Sequence, residues 1–210
     1  MRITYLFDPL CGWCYGAGPM LEQLAGLNDV TIEPAPTGLF AGDGARPMDK
    51  GFAAYAWQND QRIARLTGQV FSDSYREKVL GAVGGTFDSA PATLGIIAVG
   101  LVSPQRQLEA LKALQQARYV EGHNHAEPAA VAAALDGTGL PEAAQRLRAP
   151  DDELLGAYRA RIAAARDDMV RAGAQGVPTL LVGEGAQRRT LHSSSLFGSL
   201  DTLVAQLRAA

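Results

Sequence analysis

Asp8-Pro9-Leu10-Cys11-Gly12-Trp13-Cys14-Tyr15 is the stretch whose reading decides the fold. It holds both cysteines of the chain, three residues apart. Upstream, Ile3-Thr4-Tyr5-Leu6-Phe7 is rich in β-branched and aromatic residues and reads as a buried strand. Downstream, Leu21, Leu24 and Leu27 recur at helical spacing. Cys-Gly-Trp-Cys therefore falls where a strand hands over to a helix. A helix start presents unpaired N–H groups and the positive end of the dipole, which favour a thiolate over a thiol. Residues i and i+3 share a helix face, so the two sulfurs can come within bonding reach. The pattern fits a redox dithiol in which Cys11, nearer the helix start, attacks and Cys14, one turn in, resolves the mixed disulfide. Two other readings fit the same spacing. A structural zinc site needs four Cys or His ligands, but the chain has three histidines and none stands in a matching spacing, so no metal is expected. A pair of buried, inert cysteines is the other, since free Cys is a common core residue.

Taken with Val177-Pro178-Thr179 far downstream, this stretch resembles the thioredoxin superfamily, and the layout resembles its DsbA-like thiol–disulfide oxidoreductases. The resemblance covers nearly the whole chain. It implies an α/β fold of thioredoxin type, interrupted by a large all-helical insertion. The core would be residues 1–45 and 174–210 and the insertion residues 46–173, its last helix packing back on the core. It implies a cis-proline loop, Gly176-Val177-Pro178-Thr179, facing the dithiol and followed by the strand Leu180-Leu181-Val182. A cis Pro178 would leave the Val177 N–H and C=O free to pair with an extended substrate; a trans proline would merely begin a strand. The implied activity is oxidation, reduction or isomerisation of protein or small-molecule disulfides through Cys11 and Cys14. Gly12, Trp13, Val177 and Pro178 would shape the site. The dithiol is itself the redox centre, so no bound cofactor is expected, with glutathione eligible as reductant or co-substrate.

Asp8 lies between the strand and Cys11. It can relay protons as Cys14 reacts, or Asp8-Pro9 can be simply a turn. DsbA-like proteins usually carry an aromatic or small residue here, so the resemblance assigns Asp8 no role. Two further readings share the scaffold. Glutathione-dependent isomerases and kappa-class glutathione transferases usually place serine where Cys11 stands, so both cysteines count against them. A non-catalytic thioredoxin-like binding module is the other.

At 210 residues the chain can hold one well-packed domain, or one fold with an insertion. Its apolar content of 47% is ordinary, and a net charge of −3 offers no electrostatic attraction to nucleic acid or membrane. No stretch approaches the ~18 consecutive apolar residues of a spanning helix. The first strand begins at Arg2 or Ile3, leaving no room for a leader before it, so a cytoplasmic protein is expected. In a reducing compartment a dithiol is catalytic or metal-binding rather than structural. Nothing in the pattern sets the oligomeric state.

Along the chain, Val30 to Pro34 reads as a second strand and Thr37 to Lys50 as a loop. Gly18-Pro19 bends the first helix or splits it in two. Helix signals then follow one another: Asp49 as cap with Gly68 at the end, Ser72, Ser89-Ala90-Pro91, Pro104, Pro128, Pro141, and Pro150-Asp151-Asp152-Glu153. Arg188 to Leu191 pairs with the Leu180 strand, and Ser193-Ser194-Ser195 caps a terminal helix. His123 and His125 read as a solvated turn rather than a metal pair, and His192 as the start of a turn. Phe52, Tyr55 and Trp57 read as core or groove lining.

Overall fold

The computed structural model describes residues 1–82, 84–185, 188–191 and 193–209, so His192 lies outside the described residues. Strand β1 (Arg2–Phe7) runs into the Cys-Gly-Trp-Cys stretch. Two helices follow, α1 (Gly12–Gly16) and α2 (Gly18–Ala25), meeting at Ala17. Pro19 stands in the first turn of α2, where a missing N–H breaks no helical bond. The segment is thus split, not merely bent. Strand β2 (Thr31–Pro36) continues past Pro34 to Pro36. It is an edge strand, and an edge tolerates prolines because one row of its N–H groups has no partner to lose.

A two-residue strand β3 (Arg46–Pro47) precedes α3 (Lys50–Thr67) and α4 (Asp73–Tyr75), which passes into a π-helical turn at Arg76–Leu80. Strand β4 (Thr86–Phe87) pairs antiparallel with β3. This ribbon lies where the sequence reads as loop, because two residues cannot show a period of two. Helices α5 (Ala90–Val102), α6 (Gln107–Tyr119), α7 (Pro128–Gly137), α8 (Pro141–Arg148) and α9 (Asp152–Arg171) complete the insertion. The caps lie where the side-chain chemistry puts them. Asp49 accepts the Phe52 N–H at 2.8 Å, Gly68 closes α3 at φ 75°, and Asp151 accepts the Leu154 N–H at 2.7 Å. Helix α5 carries no amphipathic stripe: Ile96, Ile97, Ala98 and Val99 are all fully buried, so the other insertion helices surround it.

Strands β5 (Thr179–Val182) and β6 (Arg189–Leu191) and helix α10 (Leu200–Arg208) return the chain to the core. Ser199, not the Ser193–Ser195 run, caps α10, accepting the Thr202 N–H at 3.2 Å; residues Ser193–Phe197 form a separate 3₁₀ turn. The sheet order is β2-β1-β5-β6, with β1 parallel to β2 and antiparallel to β5, and β6 antiparallel to β5. This is a thioredoxin-like sheet interrupted by helices, as the resemblance implies.

Alternation along the central strands builds the layers. Ile3, Tyr5 and Phe7 of β1, with Leu180 and Val182 of β5, face the core shared with Leu21, Leu24, Leu203 and Leu207. Leu6 and Leu181 face the other way, onto Ala165 of α9. Arg161 and Arg166 tie α9 to the end of β2, donating to the carbonyls of Pro34 (2.8 Å) and Thr37 (2.9 Å). With both faces covered, the end of β1 is a fixed platform for the residues that follow it.

Candidate active site

Cys11 is the N-cap of α1, in extended backbone. Its Sγ accepts the Cys14 N–H at 3.3 Å. In its neutral form the S–H donates to the Val177 carbonyl at 3.6 Å. The Val177–Pro178 peptide is cis. Cys11 is 6% exposed and Cys14 fully buried; both are free thiols. Burial pushes the Cys14 thiol well up, and its link to Cys11 pushes it the same way. The inner sulfur is therefore held protonated. Chemically, the pair offers one sulfur at the rim and one in reserve behind it.

Trp13 and Phe197 meet edge to face, 5.2 Å between centroids. The Arg62 guanidinium lies 5.8 Å from the Trp13 ring, and these three residues with Leu66, Val177 and Pro178 line a groove of about 480 Å³. The expected site residues Cys11, Trp13, Val177 and Pro178 thus share one place in the fold. Phe52 packs on Phe87 and Trp57 lies under Arg76, whereas Tyr55 is 62% exposed and lines no core.

Asp8 is fully buried and holds three segments together. It accepts the Leu10 N–H at 2.9 Å, the Phe40 N–H at 3.1 Å and the Ser89 O–H at 2.7 Å. Burial raises its carboxyl, although the hydrogen bonds from Ser89, Leu10 and Phe40 and the Arg118 cation pull it down. Ser89, a helix-start signal in the sequence, spends its hydroxyl on Asp8 and makes no side-chain cap on α5.

A second polar cluster escapes sequence reading. Asp60 on α3 is 5% exposed, and its Oδ2 accepts the Tyr75 O–H at 2.9 Å. Arg118 on α6 is 1% exposed, its guanidinium 5.6, 5.3 and 5.7 Å from the rings of Tyr75, Phe87 and Tyr119. Tyr119 donates its O–H to the Leu10 carbonyl at 2.8 Å. The available signal was positional: Asp60 falls on the Phe52, Ala56, Ile63 side of α3, where a charge is out of place. His125 likewise departs from the solvated turn read for it. It is 1% exposed, and burial holds its imidazole down near 3. His123 is half-exposed, with Nδ1 3.7 Å from Glu121. Among the described residues no cluster of three or more His, Cys, Asp or Glu is placed to hold a metal.

Gly12 has a steric reason. A Cβ there would lie 2.6 Å from Asp60 Oδ1 and 3.2 Å from Ile63 Cδ1. Gly12→Ala is expected to lower stability by about 1–3 kcal/mol through overpacking. Chemical denaturation measures it, and an unchanged midpoint would count against the close contact.

The buried ionisable groups also set a pH dependence. Burial raises Asp60 to about 7, against hydrogen bonding from Tyr75 and the Arg118 cation. Protonated Asp60 favours the folded state, so its contribution is complete below about pH 4 and is lost as pH rises to about 7. Neutral His125 acts in the opposite sense: its contribution is complete above about pH 6.5 and is lost as pH falls toward 3. Asp60→Asn removes the first and keeps the second. Its unfolding free energy should fall more steeply than wild type between about pH 6.5 and 4, by up to about 1.4 kcal/mol per pH unit. Urea denaturation across that range tests this; parallel slopes contradict it.

The comparisons with known proteins agree with this geometry. The family model described as a DSBA-like thioredoxin domain matches residues 2–207. Among solved structures, the chain is similar to the cytosolic disulfide reductase DsbM from Pseudomonas aeruginosa, with 32% identity over all of both chains and a TM-score of 0.86. The same reductase with GSH gives 31% identity, 99% and 100% coverage and a TM-score of 0.83. The oxidoreductase DsbA from Xylella fastidiosa shares the fold, at 16% identity, 100% and 87% coverage and a TM-score of 0.55. No curated protein sequence matches the chain significantly. No helix among the described residues is long and apolar enough to cross a membrane. A strand leading into a capped Cys-Gly-Trp-Cys turn, a cis-proline loop against it, and a family match over nearly the full length lead to one conclusion: the chain belongs to the DSBA-like thioredoxin-domain family.

Proposed function

We propose that this protein is a disulfide reductase that takes its electrons from a small thiol of the glutathione type and works in the reducing cytoplasm. The observation that carries the reading is the placement of Cys11 at the mouth of α1, against the Val177 backbone, with Cys14 buried one turn behind. The similarity to DsbM, described both as a cytosolic reductase and with GSH, supports the direction and the reductant.

The Cys11 thiolate attacks one sulfur of a substrate disulfide, forming a mixed disulfide and releasing the first substrate thiolate. Cys14 then gives up its proton and attacks the Cys11 sulfur. The Cys11–Cys14 bond forms and the second substrate thiolate leaves, so the substrate has gained two electrons. Two glutathione molecules restore the dithiol and depart as glutathione disulfide. The groove beside Trp13 and Val177 receives the substrate, whose extended backbone pairs with Val177. Gly12 keeps the turn narrow, Trp13 forms one wall, and Pro178 fixes the loop that faces the sulfurs. No group other than the dithiol carries electrons.

Cys14→Ala is expected to stop the cycle after the first step and accumulate mixed disulfides on Cys11. Intact-mass analysis after incubation with oxidised glutathione shows them as a single adduct. Absence of any adduct in this variant would remove Cys14 from the resolving role.

A further inference from the structure

Arg118 of α6 is the largest fully buried side chain among the described residues, and its Nε and Nη1 find no hydrogen-bond acceptor. A buried cation without a hydrogen-bonded partner is strongly unfavourable, so such groups are paired in folded proteins. The three rings around Arg118 attract the cation but accept no strong hydrogen bond. Two carboxylates face it, and both are spent elsewhere: Asp8 on three donors and Asp60 on the Tyr75 O–H. Arg118 also forms one wall of a cavity of about 10 Å³, and it is the one charged residue there among the described residues. Leu10, Met48, Val79 and Phe87 give that cavity its apolar walls. Asn124, a polar neighbour in the wall, uses its amide on Glu127 and on the Ala126 N–H.

We propose that this cavity is a halide site, in which one chloride or bromide ion accepts hydrogen bonds from the Arg118 guanidinium and completes its pairing. Size sets the class of ligand. The space is about that of one water-sized sphere, so a monatomic ion fits and sulfate, phosphate or a carboxylate does not. Charge sets the sign, because the wall carries a guanidinium and no carboxylate. Water is the competitor. It needs two to four polar partners, acceptors for its own protons among them, whereas a halide needs donors only. His125, beside Asn124 in the chain, lies within electrostatic reach of Arg118, and its buried Nε2 is also without a partner. The site adjoins the dithiol segment. Leu10 lines the cavity, its carbonyl is held by Tyr119, and it precedes Cys11. The ion thus braces the turn that enters α1.

Crystals of the full chain soaked in sodium bromide test this directly, with diffraction recorded at the bromine absorption edge. The expected result is an anomalous peak within hydrogen-bond distance of the Arg118 guanidinium. No peak there, whether the cavity holds water or nothing, overturns the proposal, and this arm needs no variant. A solution arm compares urea unfolding in about 0.2 M sodium bromide with unfolding in about 0.2 M sodium gluconate, whose anion is too large for the cavity. The same pair of salts is applied to Ala126→Val, which narrows the cavity and leaves Arg118 in place, so that general salt effects cancel. Relative to gluconate, bromide is expected to raise the wild-type midpoint by about 0.3 M urea more than it raises that of the variant. An equal response in the two proteins overturns the proposal. Neither arm involves turnover, so the halide site and the reductase reading stand or fall separately.

Discussion

Cys11→Ser is expected to leave a folded protein whose disulfide reduction has dropped to the background rate, a loss of about a thousandfold or more. At 1.36 kcal/mol per factor of ten that is at least about 4 kcal/mol of barrier. The fold should survive because serine differs from cysteine by one atom and still accepts the Cys14 N–H at the cap. Turnover should not survive, because a hydroxyl neither ionises near neutral pH nor forms the mixed disulfide through which electrons pass. Insulin reduction with glutathione as electron source measures it, with circular dichroism to confirm folding. Retained turnover would remove Cys11 from the role of nucleophile.

The second large effect belongs to Asp8. Replacing it with alanine strips the acceptor from three donors at once: the N–H groups of Leu10 and Phe40 and the hydroxyl of Ser89. Each buried donor left without a partner costs about 1–3 kcal/mol, partly offset by no longer burying a carboxyl group. A net loss of about 3 kcal/mol is expected, read as a lowered denaturation midpoint. Asp8→Asn keeps an acceptor for two of the donors and should lose about 1 kcal/mol. The pair of variants separates the two readings that the sequence left open. A staple loses stability in proportion to the bonds removed. A proton relay would show instead as lost turnover in Asp8→Asn with stability intact.

The landmarks legible in the sequence are those where one residue type has one physical use. Both cysteines at the end of an apolar β-branched run could be placed at a strand-to-helix junction, and Asp49 and Ser72 could be read as caps, whereas Asp151, read as a first-turn acid, is itself the cap of α9. What stayed hidden depends on tertiary partners. Asp60 sits in the polar run Gln58-Asn59-Asp60-Gln61 and looks solvated until α1 and α4 close over it. Arg118 looks like the exposed end of a helix, yet it lies inside an aromatic cage. Ser89 carries the mark of an N-cap, but the longer-range bond to Asp8 wins its hydroxyl. Ser193 to Ser195 offered three caps to α10, and the helix begins instead at Ser199. In each case local propensity was right about the residue type and silent about which partner it would find.

The account turns on Cys11 and Cys14 forming a single two-electron couple. Its most direct test is to equilibrate the full chain in glutathione buffers of graded potential, quench in acid, alkylate and weigh the protein. The expected result is that both sulfurs become unavailable together, in one transition of tenfold per ~30 mV, with a peptide linking Cys11 to Cys14. Two thiols that stay alkylatable across the whole range, or glutathione adducts that never give way to an internal disulfide, would contradict it.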